Sequence, residues 1–108
     1  MRHLYTIAAA ALMAAAGPAL AVELGNEQVG SDYAKKACAE CHEVGPYQSF
    51  SPNPDAPSFK EVADTPGMSA RALGVWMHTS HPTMPDLIIK PDDLDNVIAY
   101  IMSLRSKS

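Results

Sequence analysis

The stretch "CAECH", residues 38–42, puts both cysteines of the chain three positions apart, with a histidine directly behind the second. Several chemistries use cysteines at this spacing, and the surroundings separate them. A disulfide between Cys38 and Cys41 would close a very small loop and stabilise little on chain-entropy grounds. A thioredoxin-like redox pair sits in a βαβ context, and no segment here reads as a strand. Zinc would need a fourth ligand beyond Cys38, Cys41 and His42. His78 and His81 are the candidates for it, but they stand in a segment broken by Pro82 and Pro85 and match poorly. Covalent haem attachment through C-x-x-C-H accounts for every position. Cysteines on one helical turn reach the two vinyl groups as thioethers, and the adjacent histidine brings its Nε2 to the iron.

The start of the chain bears on which reading holds. Residues 1–21, MRHLYTIAAAALMAAAGPALA, begin with Arg2 and continue into a thirteen-residue apolar run from Leu4 to Ala16. Gly17 and Pro18 then break the helix, and Ala19-Leu20-Ala21 has the small-x-small form of a signal-peptidase site. A membrane-spanning helix needs about 20 apolar residues, more than this run supplies. Residues 1–21 are therefore expected to be a cleaved secretory signal, leaving residues 22–108 as one domain exported to the periplasm. In that oxidising compartment, thioether linkage would consume both thiols.

Without Arg2 the remaining chain carries seven basic against twelve acidic side chains, a balance near −5. Such a charge argues against nucleic acid and against anionic lipid. It suits a soluble carrier whose partner offers a basic or neutral patch. A domain this small buries only about 60% of its unfolded surface and often needs a cofactor or staple to complete its core.

Residues 22–28 are polar and read as loose. Val29, Tyr33 and Ala37 then recur at spacing four, a modest amphipathic helix leading into the cysteines. Gly30 interrupts it, either as a frayed first turn or as a point where another backbone passes closely. Residues 45–57, GPYQSFSPNPDAP, contain four prolines and form a loop, since neither helix nor central strand tolerates that density. Ser58 to Ala63 can form a turn or two of helix with Phe59 and Val62. Ser69 suits an N-cap for a helix from Ala70 to about Met77, with Leu73, Trp76 and Met77 on one face. Near the end, PDDLDNVIAYIMSLR carries Leu94, Val97, Ile98, Ile101 and Leu104 as an apolar stripe. Pro91 fits its first position. Asp92 and Asp93 at its start and Arg105 near its end match the helix dipole. The fold class is all-α with long loops.

These features together resemble the class I c-type cytochromes, specifically the small single-haem periplasmic members. Gly30 stands eight positions before Cys38, followed by the haem motif. Pro57 and Phe59, Trp76, Met84-Pro85 and the closing helix DNVIAYIMSL with Tyr100 match in turn, over nearly all of residues 29–105. The resemblance implies three to five helices wrapped around one covalently bound haem c, with the first and last helices crossing at Gly30. It also implies that the other ring nitrogen of His42 bonds the backbone carbonyl of Pro57. Two positions depart from the pattern. Ala34 replaces a frequent aromatic residue, with Tyr33 alongside, and Lys90 stands where Ser or Thr usually caps the last helix, a loss of about 1 kcal/mol.

Beyond the signal, the candidates for a sixth iron ligand are Met68, Met77, Met84, Met102, His78 and His81. Met102 and Met77 lie on apolar helix faces and read as core, while Met68 follows a Pro-Gly turn. Met84 sits in a loop whose prolines hold it away from helical geometry, and the resemblance points to it independently. His81 is its competitor and would lower the potential. An iron held by His42 and Met84 has no position for substrate, so the expectation is outer-sphere electron transfer and not catalysis. Trp76, Tyr100, Phe59, Leu94 and Ile98 would form a low-polarity shell, with Ala39, Val44 and Pro46 around the exposed haem edge. The expected partners are a periplasmic dehydrogenase as donor and an oxidase or reductase as acceptor, met by a monomeric shuttle without stable membrane insertion. The alternative is a dedicated subunit of a dehydrogenase or oxidase complex, which a large apolar patch on the 46–57 loop would favour.

Overall fold

Among the described residues four helices in chain order make up the regular structure: α1 Glu27–Ala37, α2 Phe59–Asp64, α3 Ala70–Met77 and α4 Pro91–Ser103. The computed structural model describes residues 25–79, 83–85 and 87–107, and no strand occurs among them. The expected signal, residues 1–21, lies outside the described residues, as do His81 and Pro82. Among the described residues no helix is long and apolar enough to cross a membrane.

Helix α1 starts two residues earlier than its apolar pattern suggests. Asn26 is its N-cap, the side-chain oxygen accepting the Val29 N–H at 2.9 Å. The N–H of Asn26 in turn donates to Asn96 Oδ1 at 2.7 Å. Residues 27 and 28 are therefore helical and tied to α4, not loose. The buried stripe also falls one position on from the expected one. Gly30, Ala34 and Cys38 are buried, whereas Val29 and Ala37 are exposed and Tyr33 is half-buried. Small residues win this face because α4 comes so near. A Cβ on Gly30 would fall onto the backbone carbonyl of Asn96 and within 2.9 Å of Tyr100 Cβ. Gly30 is a close-contact residue and not a frayed turn.

Helix α4 buries Leu94, Val97, Ile98 and Ile101, and Leu104 packs half-buried against the same core. Its start has Pro91 in the first turn and Lys90 as an N-cap without a side-chain bond, as the sequence leads one to expect. Its end differs. Arg105 reaches away to the carbonyl of Met68 at 3.2 Å. The cation at the helix terminus is Lys60 of α2, whose Nζ donates to the Leu104 carbonyl at 2.8 Å, to Asp64 Oδ2 at 2.7 Å and to Ser106 Oγ at 2.5 Å. Asp64 also accepts the Ser106 N–H at 2.7 Å. These bonds hold the Asp64 carboxyl down to about 2, the Lys60 hydrogen bond being the largest cause.

Helix α2 is short, and a helix of its length needs tertiary support to persist. It begins with a capping box: Ser58 Oγ accepts the Glu61 N–H and Glu61 Oε2 accepts the Ser58 N–H, both at 3.1 Å. Helix α3 is capped by Ser69, as its sequence predicts, and Leu73 is buried while Met77 is half-buried. Trp76 is 56% exposed. The core is thus Ala34, Cys38, Val44, Phe59, Ala63 and Leu73 gathered around the apolar stripe of α4.

Candidate haem site

The motif turns directly out of the end of α1. Cys38 N–H donates to the Ala34 carbonyl at 2.9 Å and closes the helix. Cys41 and His42 then donate to the Cys38 carbonyl at 3.2 and 2.9 Å. One tight turn therefore carries Cys38, Cys41 and His42. The thiols are not joined in a disulfide; Cys38 is buried, Cys41 half-buried, and burial pushes the Cys38 thiol up.

The proline-rich loop fastens this turn from the other side. Asn53 N–H donates to the Cys41 carbonyl at 3.1 Å, and Glu43 N–H donates to Ser51 Oγ at 3.0 Å. Phe59 N–H meets the Glu43 carbonyl at 2.9 Å. Tyr100 Oη on α4 donates to the Val44 carbonyl at 2.5 Å. Each residue from Cys41 to Val44 thus has a long-range partner, once the His42 ring is counted. Tyr47 and Phe50, farther out on the loop, are exposed.

His42 points its Nδ1 at the Pro57 carbonyl, 2.7 Å away. A carbonyl only accepts, so Nδ1 carries the proton and the Nε2 lone pair is left for a metal. The acceptor is the one that the family resemblance implies. Phe59 lies against the imidazole with centroids 5.5 Å apart, and Tyr100 lies 6.4 Å beyond Phe59.

Met84 stands apart from this turn in sequence, in the loop that leads into α4, with a half-buried side chain. The other methionines of the domain, Met68, Met77 and Met102, pack against the core. His78 ends α3 and has its Nδ1 2.7 Å from the Gly74 carbonyl. Among the described residues no group of three or more His, Cys, Asp or Glu side chains is placed to hold a metal ion. The expected apolar shell is present in part. Phe59, Leu94 and Ile98 are buried and Tyr100 half-buried, but Trp76 is mostly exposed. Val44, expected at the exposed edge, is a buried core residue whose carbonyl accepts the Tyr100 hydroxyl; Pro46 is exposed and Ala39 half-buried.

The sequence reading overlooked the parts that brace His42. The Ser58–Glu61 pair had a readable signal, S-x-x-E ahead of a helix. Ser51 and Asn53 had none.

The chain is similar to the curated cytochrome c-552 of Bradyrhizobium diazoefficiens, 36% identical over 95 residues that span 88% of each protein. No protein-family model matches it, and no solved structure does. The chain belongs to the class I c-type cytochromes, and it is a haem electron-transfer protein with covalently bound haem c. The residues fit that group: two thiols and an imidazole share one turn, and the imidazole is already set in the tautomer that frees Nε2.

Proposed function

We propose that the protein is a periplasmic single-haem electron shuttle, in which Cys38 and Cys41 would hold the haem and His42 and Met84 would ligate its iron. The observation that carries this reading is the Nδ1–Pro57 bond of His42, which prepares the ring for a metal on its other side. When bound, the haem supplies one-electron Fe(III)/Fe(II) chemistry. The chain's own residues hold and orient. The Pro57 carbonyl fixes the His42 tautomer and the direction in which Nε2 points. Among the described residues Met68, Met77 and Met102 pack against the core, which leaves Met84, whose thioether would favour ferrous iron. Phe59, Leu94 and Ile98 are buried and would form part of a low-polarity shell. With His42 and Met84 both on the iron, no open position would remain for substrate, and the bound haem would serve as a carrier and not as a catalyst.

Residues 1–21 are the export signal in this reading, and the remaining domain meets its donor, a periplasmic dehydrogenase, and its acceptor, an oxidase or reductase, as a monomer. Contacts of a shuttle are small and short-lived. The subunit reading has one observation in its favour, the exposed Tyr47 and Phe50 on the 45–57 loop. Purification from the periplasm at low salt separates the two: a shuttle elutes alone, a subunit in fixed stoichiometry with a larger enzyme. Attachment is tested on the same material. The haem should stay with the polypeptide through acid–acetone extraction, and Cys38→Ala/Cys41→Ala should yield no stable holoprotein. Release of the haem into the acetone would refute thioether attachment.

A further inference from the structure

The start of α2 touches the His42 ring twice. The carbonyl of Pro57, one residue before the N-cap, accepts the hydrogen bond of the Nδ1–H at 2.7 Å. Phe59, the first helical residue, sets its own ring at 49° to the imidazole with centroids 5.5 Å apart, within the range where tilted aromatic pairs attract. Between them stands Ser58, 2% exposed, locked by the reciprocal bonds with Glu61. Those bonds restrain the backbone of Ser58. They therefore fix where the Pro57 carbonyl lies relative to the Phe59 ring.

Neither contact is sufficient alone. A hydrogen bond tolerates tens of degrees of misalignment before it weakens steeply, so the Pro57 carbonyl chooses the tautomer but leaves the ring plane soft. A ring contact restrains the plane but does not choose the tautomer. Phe59 has little room to yield: it is 5% exposed, its N–H is held by the Glu43 carbonyl, and Tyr100 backs it from α4.

We propose that the Ser58–Glu61 capping box is a positioning device for the His42 imidazole, holding the Pro57 carbonyl and the Phe59 ring at the separation that sets the ring's orientation. This rests on the reading of His42 as an iron ligand. Glu61 itself is exposed and lies outside the core, so its replacement opens no cavity, and it acts on the ring only through Ser58 and its neighbours.

The test uses ferric holoprotein labelled with nitrogen-15 at histidine, as wild type, Glu61→Ala and Glu61→Gln. In the wild type the His42 ring nitrogens carry large paramagnetic shifts. Glu61→Ala moves those shifts, alters the reduction potential and speeds exchange of the Nδ1 proton roughly fivefold, the factor expected when a lost cap eases local opening. Glu61→Gln keeps an acceptor oxygen for the Ser58 N–H without the charge, and it returns all three readouts to wild-type values. If Glu61→Ala lowers only the unfolding midpoint and leaves the His42 shifts and exchange unchanged, the box merely starts a helix and the proposal is wrong. If Glu61→Gln behaves like Glu61→Ala, charge and not geometry is responsible, and the proposal is again wrong. Should Glu61→Ala not accumulate as holoprotein, Phe59→Leu removes the ring contact directly, and unchanged His42 shifts there overturn the proposal. Wild-type His42 signals without paramagnetic shift overturn the ligand reading instead, and the proposal with it.

Discussion

Gly30 in α1 lies so close to Asn96 in α4 that a single added carbon would occupy the space of the Asn96 carbonyl. Two effects of Gly30→Ala oppose each other. Alanine favours an isolated helix over glycine by about 1 kcal/mol. Forcing extra volume into a packed contact costs about 1–3 kcal/mol, and more where the neighbour is backbone that cannot rotate away. The clash wins, so Gly30→Ala should lower holoprotein stability by at least about 1 kcal/mol in guanidinium unfolding. An unchanged or higher midpoint would show that α1 can slide off α4 at no cost.

Tyr100 and Val44 make the second link between α4 and the motif. Tyr100→Phe keeps the ring contact with Phe59 and removes only the hydroxyl that serves the Val44 carbonyl. Leaving a buried acceptor unpaired costs about 1–3 kcal/mol. The expected result is a loss in that range with an unaltered haem spectrum, measured by denaturant titration followed at the Soret band. A loss below a few tenths would mean that water replaces the hydroxyl.

In the proposed reading Met84 is the residue that closes the iron. Met84→Ala should abolish the sulfur-to-ferric-iron charge-transfer band, lower the reduction potential, and permit carbon monoxide binding nearly absent from the wild type. The freed position would take water, or His81 if the loop can carry it across. Wild-type protein that already binds carbon monoxide near neutral pH would end the carrier reading. Persistence of the band in Met84→Ala would move the ligand to Met68 or Met77 and leave electron carriage standing.

The clamp between α2 and the C-terminal tail should respond to acid through Asp64. Its carboxyl is lowered from 3.8 to about 2 in the folded protein, first by the Lys60 hydrogen bond and next by the Ser106 N–H. A depressed folded value means stability that is present above the unfolded pKa and lost as pH falls through the folded one. The stability difference between wild type and Asp64→Asn should therefore be constant above about pH 4 and shrink toward about pH 2. With the side chain 23% exposed and open to screening by salt, the difference is small and best read at low ionic strength. A difference that stays constant through this window would show that Asp64 makes no charge-dependent contribution.

What the sequence determined by itself is local. The haem motif is five consecutive residues; the Ser69 cap, the Pro91 start and the stripe from Leu94 to Ile101 follow from spacing within single turns, where side chains three and four apart must share a face. Even the missing cap at Lys90 was legible. Tertiary structure decided how those pieces meet. Val29 and Tyr33 carry the stronger apolar signal in α1, yet Gly30 and Ala34 are buried, because the approach of α4 selects for small size and not for hydrophobicity. Arg105 has the right charge for the end of α4, yet Lys60, forty-four positions before the carbonyl it caps, takes that place. Tyr100 reaches the Val44 carbonyl across fifty-six positions. No periodicity encodes such pairings. Each depends on where two separate segments come to rest, and that position is set by the whole core and not by the residues on either side.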